Sequence, residues 1–159
     1  MSDDARAPEE IDKWHKGFAV ECNNRAWRLA EQTSRAPAED EEMLHCAHAA
    51  ALHWGKVGTE LHQVRATMLL GQVHALAGDG KRALHYAREA FAYVTAHDET
   101  PAWELAFAHA VLANAAAAND ERSLHTTHYA RAKALGAALT DDEERAIFEA
   151  TFRVIPPPA

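Results

Sequence analysis

The sequence predicts an all-α domain of about seven helices, paired as antiparallel hairpins and stacked into a short solenoid. Three observations carry that prediction. Alanine is abundant, whereas the 159 residues hold only 7 glycines and 6 prolines; with β-branched residues seldom clustered, this composition suits close-packed helices over sheet. Apolar residues recur at helical spacing between short breaks rich in Gly, Pro, Asn and Asp. The tetrapeptide His85-Tyr86-Ala87-Arg88 returns as His128-Tyr129-Ala130-Arg131, each copy following a turn with Asp79 or Asp120 and an earlier alanine-rich segment. Such a recurrence favours repeated hairpins over an up-and-down bundle. The length and the 48% hydrophobic content fit one domain over residues 1–159.

Residues 1–8 read as a flexible N-terminal segment. Pro8-Glu9-Glu10 puts proline and carboxylates in a first helical turn, where missing donors and the positive dipole end suit them. Trp14, Phe18, Cys22, Trp27, Leu29 and Ala30 carry that helix from about Glu9 to Gln32, and the break falls at 33–37. The acid-loaded run 38–42 opens a second helix that continues through Met43, Leu44, Ala47, Ala51 and Trp54 to Gly55 or Gly58. Thr59 caps a third, Glu60 to Ala77, ended by Gly78-Asp79-Gly80. The fourth runs from Lys81 to about Ala96. Thr100-Pro101 reads as a cap with an N1 proline for a fifth helix ending at Ala118. The sixth spans Glu121 to Leu135, stopping at Gly136. Thr140 and Glu143 have capping-box spacing for a seventh, Asp141 to Arg153, and the Pro-rich tail 154–159 cannot prolong it.

A net charge of −8 opposes a phosphate backbone, and the basic pairs Arg25/Arg28, Lys81/Arg82 and Arg131/Lys133 are scattered along helix faces, so nucleic acid is not an expected partner. Cys22 and Cys46 lack CxxC spacing and read as reduced, partly buried residues with no second thiol near enough for exchange. The polar, acidic N-terminus lacks a signal-peptide pattern and no segment approaches a membrane span, so a cytoplasmic location away from the membrane is expected.

Residues Arg65 to Ala90 resemble a tetratricopeptide repeat. Leu70-Gly71 stands where that family has its Leu-Gly pair, His74 takes the usual Tyr place, and Ala83 and Ala90 occupy the two small positions of the second helix. Trp103 to Leu135 is a weaker copy with Ala113 or Asn114 in the glycine place. The stretches Asp40–His48 and His53–Gly58 are similar to small bacterial tetratricopeptide-like proteins without an assigned activity. The resemblance implies a hairpin stack whose concave groove accepts extended or helical peptides, and it brings no catalytic residues. Carried across, the groove-facing positions are Arg65, Met68 and Gln72 on the third helix, Phe107 and Asn114 on the fifth, and Asn24, Trp27 and Glu31 on the first. There Arg65 is expected to hold a partner's carboxylate through paired donors.

Eleven histidines raise a competing reading. Glu42 and His45 share a helical face, with His48 near by, and His125 and His128 share another, so a His/Glu metal site is an alternative. A second Glu-x-x-His is absent from the sequence, and packing beside alanines with hydrogen bonds shared between helices is the simpler account. His53 reads as a charged group at the end of the second helix, with Trp54 packed below it. Neither a nucleophile elbow nor a phosphate loop occurs. The sequence thus points to a non-enzymatic interaction module without a cofactor, binding a protein or peptide partner or self-associating through its helical groove. A short solenoid also exposes apolar surface at its ends, which admits a homodimer.

Overall fold

The computed structural model describes residues 7–159, and its elements are seven helices: α1 (Pro8–Ala30), α2 (Pro37–Val57), α3 (Glu60–Leu76), α4 (Gly80–Ala96), α5 (Ala102–Ala118), α6 (Arg122–Ala137) and α7 (Asp142–Phe152). Among the described residues there is no strand. The expected loose N-terminal segment lies outside the described residues except for its end, where Pro8 already occupies the first turn of α1.

Helices α1 and α2, α3 and α4, and α5 and α6 form the hairpins; α3 meets α1 on one side and α5 on the other, and α7 closes on α5 and α6. The burial pattern shows why α3 and α5 are central. Ala66 and residues 68–75 of α3 are buried, as are Glu104, Ala106–Ala108 and Ala110–Ala116 of α5, so apolar and small side chains surround both axes. By contrast α4 buries the single stripe Ala83, Leu84, Ala87, Ala90 and Val94. Gly71 allows close approach between α3, α4 and α5, because a Cβ there would stand 3.0 Å from Val111 Cγ1 and 3.1 Å from the Ala87 nitrogen.

Local chemistry fixes the ends. The Thr59 hydroxyl accepts from His62 N–H and Asp79 from Arg82 N–H, capping α3 and α4. Arg35 staples the first turn-back: it donates to Leu29 and Gln32 carbonyls at the end of α1 and to Asp40 in α2. Arg145 does the same for the last, donating to the Leu139 carbonyl.

Two sequence expectations shift, and one open choice is resolved. Thr100 is not a helix N-cap: its hydroxyl donates to the Val94 and His97 carbonyls and closes the end of α4, while Pro101 precedes α5. Asp141, one residue past Thr140, caps α7 by accepting from Glu144 N–H, because an ionised carboxylate is the stronger acceptor of the two. Of the two glycines expected to end α2, Gly58 is its C-cap and Gly55 lies inside the helix.

The repeat has a period that the tetrapeptide does not report. Helices α3 and α5 start 42 residues apart, at Glu60 and Ala102, and so do α4 and α6, at Gly80 and Arg122. The left-handed turn residues Gly78 and Asp120 keep the same interval. His85 and His128 therefore sit one residue out of phase. His85 is exposed, whereas His128 turns towards α5. At the structural interval Ala113, not Asn114, answers to Gly71, and Asn114 answers to Gln72.

Candidate binding groove

The inner edges of α1, α3 and α5, closed by α7, enclose a concave groove of about 390 Å³. Helix α1 and its C-cap supply Asn23, Trp27 and Glu31; α3 supplies His62, Arg65 and Met68; α5 supplies Trp103, Glu104 and Phe107; Trp54 of α2 and Ile147 and Thr151 of α7 complete the lining. Three of the chain's four tryptophans thus face one space.

The aromatic walls are mutually braced. Phe107 stands edge-on to Trp27 at 6.0 Å and to Trp103 at 5.9 Å between ring centroids, geometries that the ring quadrupoles favour. Trp54 is stacked on His62 at 4.3 Å, and His62 is itself held by Thr59. The walls are therefore fixed by the helix that carries each residue and by a neighbour across the groove.

Charge enters through three groups. Arg65 Nε donates to Glu104 Oε1 at 2.7 Å and Nη2 to Oε2 at 3.4 Å, and the same guanidinium lies 5.1 Å from the Trp103 centroid. Glu104 is almost wholly enclosed, with 3% of its side chain exposed, whereas Arg65 keeps 41%. The arginine expected to receive a partner's carboxylate is thus already paired with one of the chain's own. Glu31 differs: its carboxylate forms no hydrogen bond or ion pair among the described residues, and burial raises its pKa above the usual carboxylate range, partly offset by Arg153. Arg153 donates to the Glu31 main-chain carbonyl at 3.0 Å.

Of the groove positions expected from sequence, Trp27, Glu31, Arg65, Met68 and Phe107 come together in this lining. Asn24 does not line it; its neighbour Asn23 does, and Asn24 is exposed. Gln72 and Asn114 are buried and do not line it either: Asn114 Nδ2 donates to Gln72 Oε1 at 3.0 Å, a polar tie between α3 and α5. Trp54, His62, Trp103, Glu104, Ile147 and Thr151 are additional lining residues. For Trp103 the signal was its place four residues before Phe107, one helical turn away on the same face; nothing local marks Thr151.

The metal-ligand candidates do not converge. Glu42 is bound by Arg25 Nε at 2.7 Å, His45 is exposed, and His48 Nε2 meets His74 Nε2 at 2.9 Å. Among the described residues no group of three or more His, Cys, Asp or Glu is placed to hold a metal ion. Six histidines instead pair between helices: His15 with His53 at 2.7 Å, His48 with His74, and His109 with His128 at 2.8 Å. Each short N···N contact needs one protonated and one bare nitrogen, so each pair disfavours a second charge. Burial, then the neighbouring imidazole, lowers the pKa of His53 and His74, and the same causes bring His109 down to about 4. His53 is therefore an interhelical partner whose surroundings disfavour the partial charge expected at that helix end. His125 donates to the Pro156 carbonyl at 2.8 Å, anchoring the tail on α6.

Cys22 and Cys46 are free and half-buried. Contrary to the sequence reading they are neighbours across α1 and α2; burial raises the Cys46 pKa, and the adjacent Cys22 adds to the rise.

Among the described residues no helix is long and apolar enough to cross a membrane. Comparison of the chain with protein-family models, with curated proteins and with solved structures finds no match.

Proposed function

We propose that the chain is a non-enzymatic interaction module, working in the cytoplasm, that holds a peptide segment of a partner protein in the groove of its tetratricopeptide-like hairpin stack. The observation that carries this reading is the convergence of Trp27, Trp103, Phe107 and Met68 on one open concavity. Aromatic side chains held rigid before binding lose little entropy when a partner arrives, which is why such residues dominate binding energy at interfaces. A groove of this size accepts one or two side chains and the backbone between them.

The test is panning of a random seven-residue peptide display library on the wild-type protein and on Ile147→Trp. Ile147 lines the groove yet is half exposed, so a larger ring narrows the space without entering the core. Sequences enriched by the wild type and lost on the variant are expected. No enrichment, or equal enrichment on both proteins, overturns the reading.

A further inference from the structure

Resting on that reading, we infer that the groove selects a basic side chain, a lysine or arginine of the bound peptide, whose cation sits between the Trp27 and Phe107 rings and the Glu31 carboxylate.

One feature of the lining points to such an occupant. Glu31 is a half-buried carboxylate lining an aromatic cavity without a hydrogen-bonding partner among the described residues, and partial burial strips it of some of its water. A partly desolvated carboxylate without a donor is a favourable place for a ligand's charged N–H groups. Ammonium and guanidinium groups carry several N–H donors and no acceptor, which fits an unbonded carboxylate.

The protein contains an internal counterpart of the same recognition. Arg65 places its guanidinium by the Trp103 ring and donates twice to Glu104. An indole and a carboxylate in this groove therefore already hold one cation. Trp27, Phe107 and Glu31 offer a second set of the same chemistry, with no cation hydrogen-bonded to the carboxylate among the described residues. Charge agrees: Glu31 and Glu104 outnumber Arg65 in the lining, Arg153 engages the Glu31 carbonyl, and the chain as a whole carries −8. Cation and ring quadrupole attract most strongly where water is displaced, as in a concavity.

The panned sequences provide the probe. Most enriched peptides are expected to contain a lysine or arginine beside an apolar residue. Synthetic copies titrated into the wild type should lose at least tenfold in affinity when the basic residue is replaced by norleucine, and again on Glu31→Gln. Glu9→Gln removes the same charge at the opposite end of α1, about 30 Å away by helical rise, and should leave affinity within twofold. Groove-dependent peptides without a basic residue would overturn this inference while leaving the binding module standing. Equal losses on Glu31→Gln and Glu9→Gln would overturn it too, because the attraction would then be that of net charge alone. Absence of any enrichment defeats the module itself.

Discussion

Arg65 of α3 reaches across to α5 and grips the enclosed carboxylate of Glu104 with two donors, 2.7 and 3.4 Å long. The pair ties two consecutive hairpins at the wall of the groove. Removing the guanidinium strands a buried charge, and breaking such a pair from one side costs more than the pair contributes. Arg65→Ala is expected to lower stability by about 2–3 kcal/mol, below the figure for fully enclosed pairs because Arg65 is partly solvated. Glu104→Gln in that background should recover about 1 kcal/mol, since it removes the stranded charge. Urea denaturation of the single and double variants checks both values. A loss of binding by Arg65→Ala therefore reports on folding before it reports on recognition.

The Asn114–Gln72 hydrogen bond makes a related prediction in the core. Gln72 is fully buried, its Oε1 is satisfied and its Nε2 has no partner among the described residues. Asn114→Leu alone orphans Gln72 and should cost about 1–3 kcal/mol. Adding Gln72→Met removes both polar groups, so the double variant should be at least 1 kcal/mol more stable than the sum of the single effects. A double-mutant cycle by chemical denaturation measures the coupling, and additivity would show that the bond is not a stabilising tie.

Acid should loosen the stack through its histidine pairs. The pKa values of His48, His53, His74, His109 and His128 are lowered in the folded chain, that of His109 from 6.5 to about 4. In that window the unfolded chain binds more protons than the folded one. Their stabilising contribution is therefore complete above pH 6.5 and is lost as the pH falls towards 4, His109 accounting for on the order of 1–2 kcal/mol after allowance for solvent screening. Urea midpoints measured between pH 7.5 and 4.5 should fall with acidification, and His109→Gln, which cannot titrate, should flatten the slope.

Two glycines test the packing with opposite signs. Gly17 lies inside α1 with open space around a Cβ, so Gly17→Ala should stabilise by about 0.5–1 kcal/mol. Gly80, at the start of α4, faces the backbone of Ala118 and Asn119 at the end of α5, where a Cβ would overlap main-chain atoms. Gly80→Ala should cost about 1–3 kcal/mol. Thermal melts followed by circular dichroism distinguish the two.

The helices were legible because their signals are local. Thr59 and Pro8 act where the sequence placed them, and each helix boundary lies within a few residues of its expected position. The groove was half legible: a period of 3.6 puts Trp27 and Glu31, or Arg65 and Met68, on one face whatever the fold. Its depth was not, because Gln72 and Asn114 bond to each other between α3 and α5, a long-range contact that helical spacing does not report. Partners were the least legible. Arg65 finds Glu104 across 39 residues and His109 finds His128 across 19, distances over which neither charge nor spacing in the chain names a mate. The repeated tetrapeptide misled on phase, since residue identity at one position says nothing of a one-residue shift in where the helix began.

The buried Gln72–Asn114 bond joins like positions of successive 42-residue units, and this gives the stack a direction. Sliding α5 along α3 by one turn would face each amide with an alanine or a leucine, so the polar contact acts as an indexing pin in an otherwise smooth, small-residue seam. Growth of such an array by duplication would be constrained accordingly. An inserted unit needs an amide at that one place, able to donate to the unit before it and accept from the unit after it, whereas the alanines around it can vary among small residues.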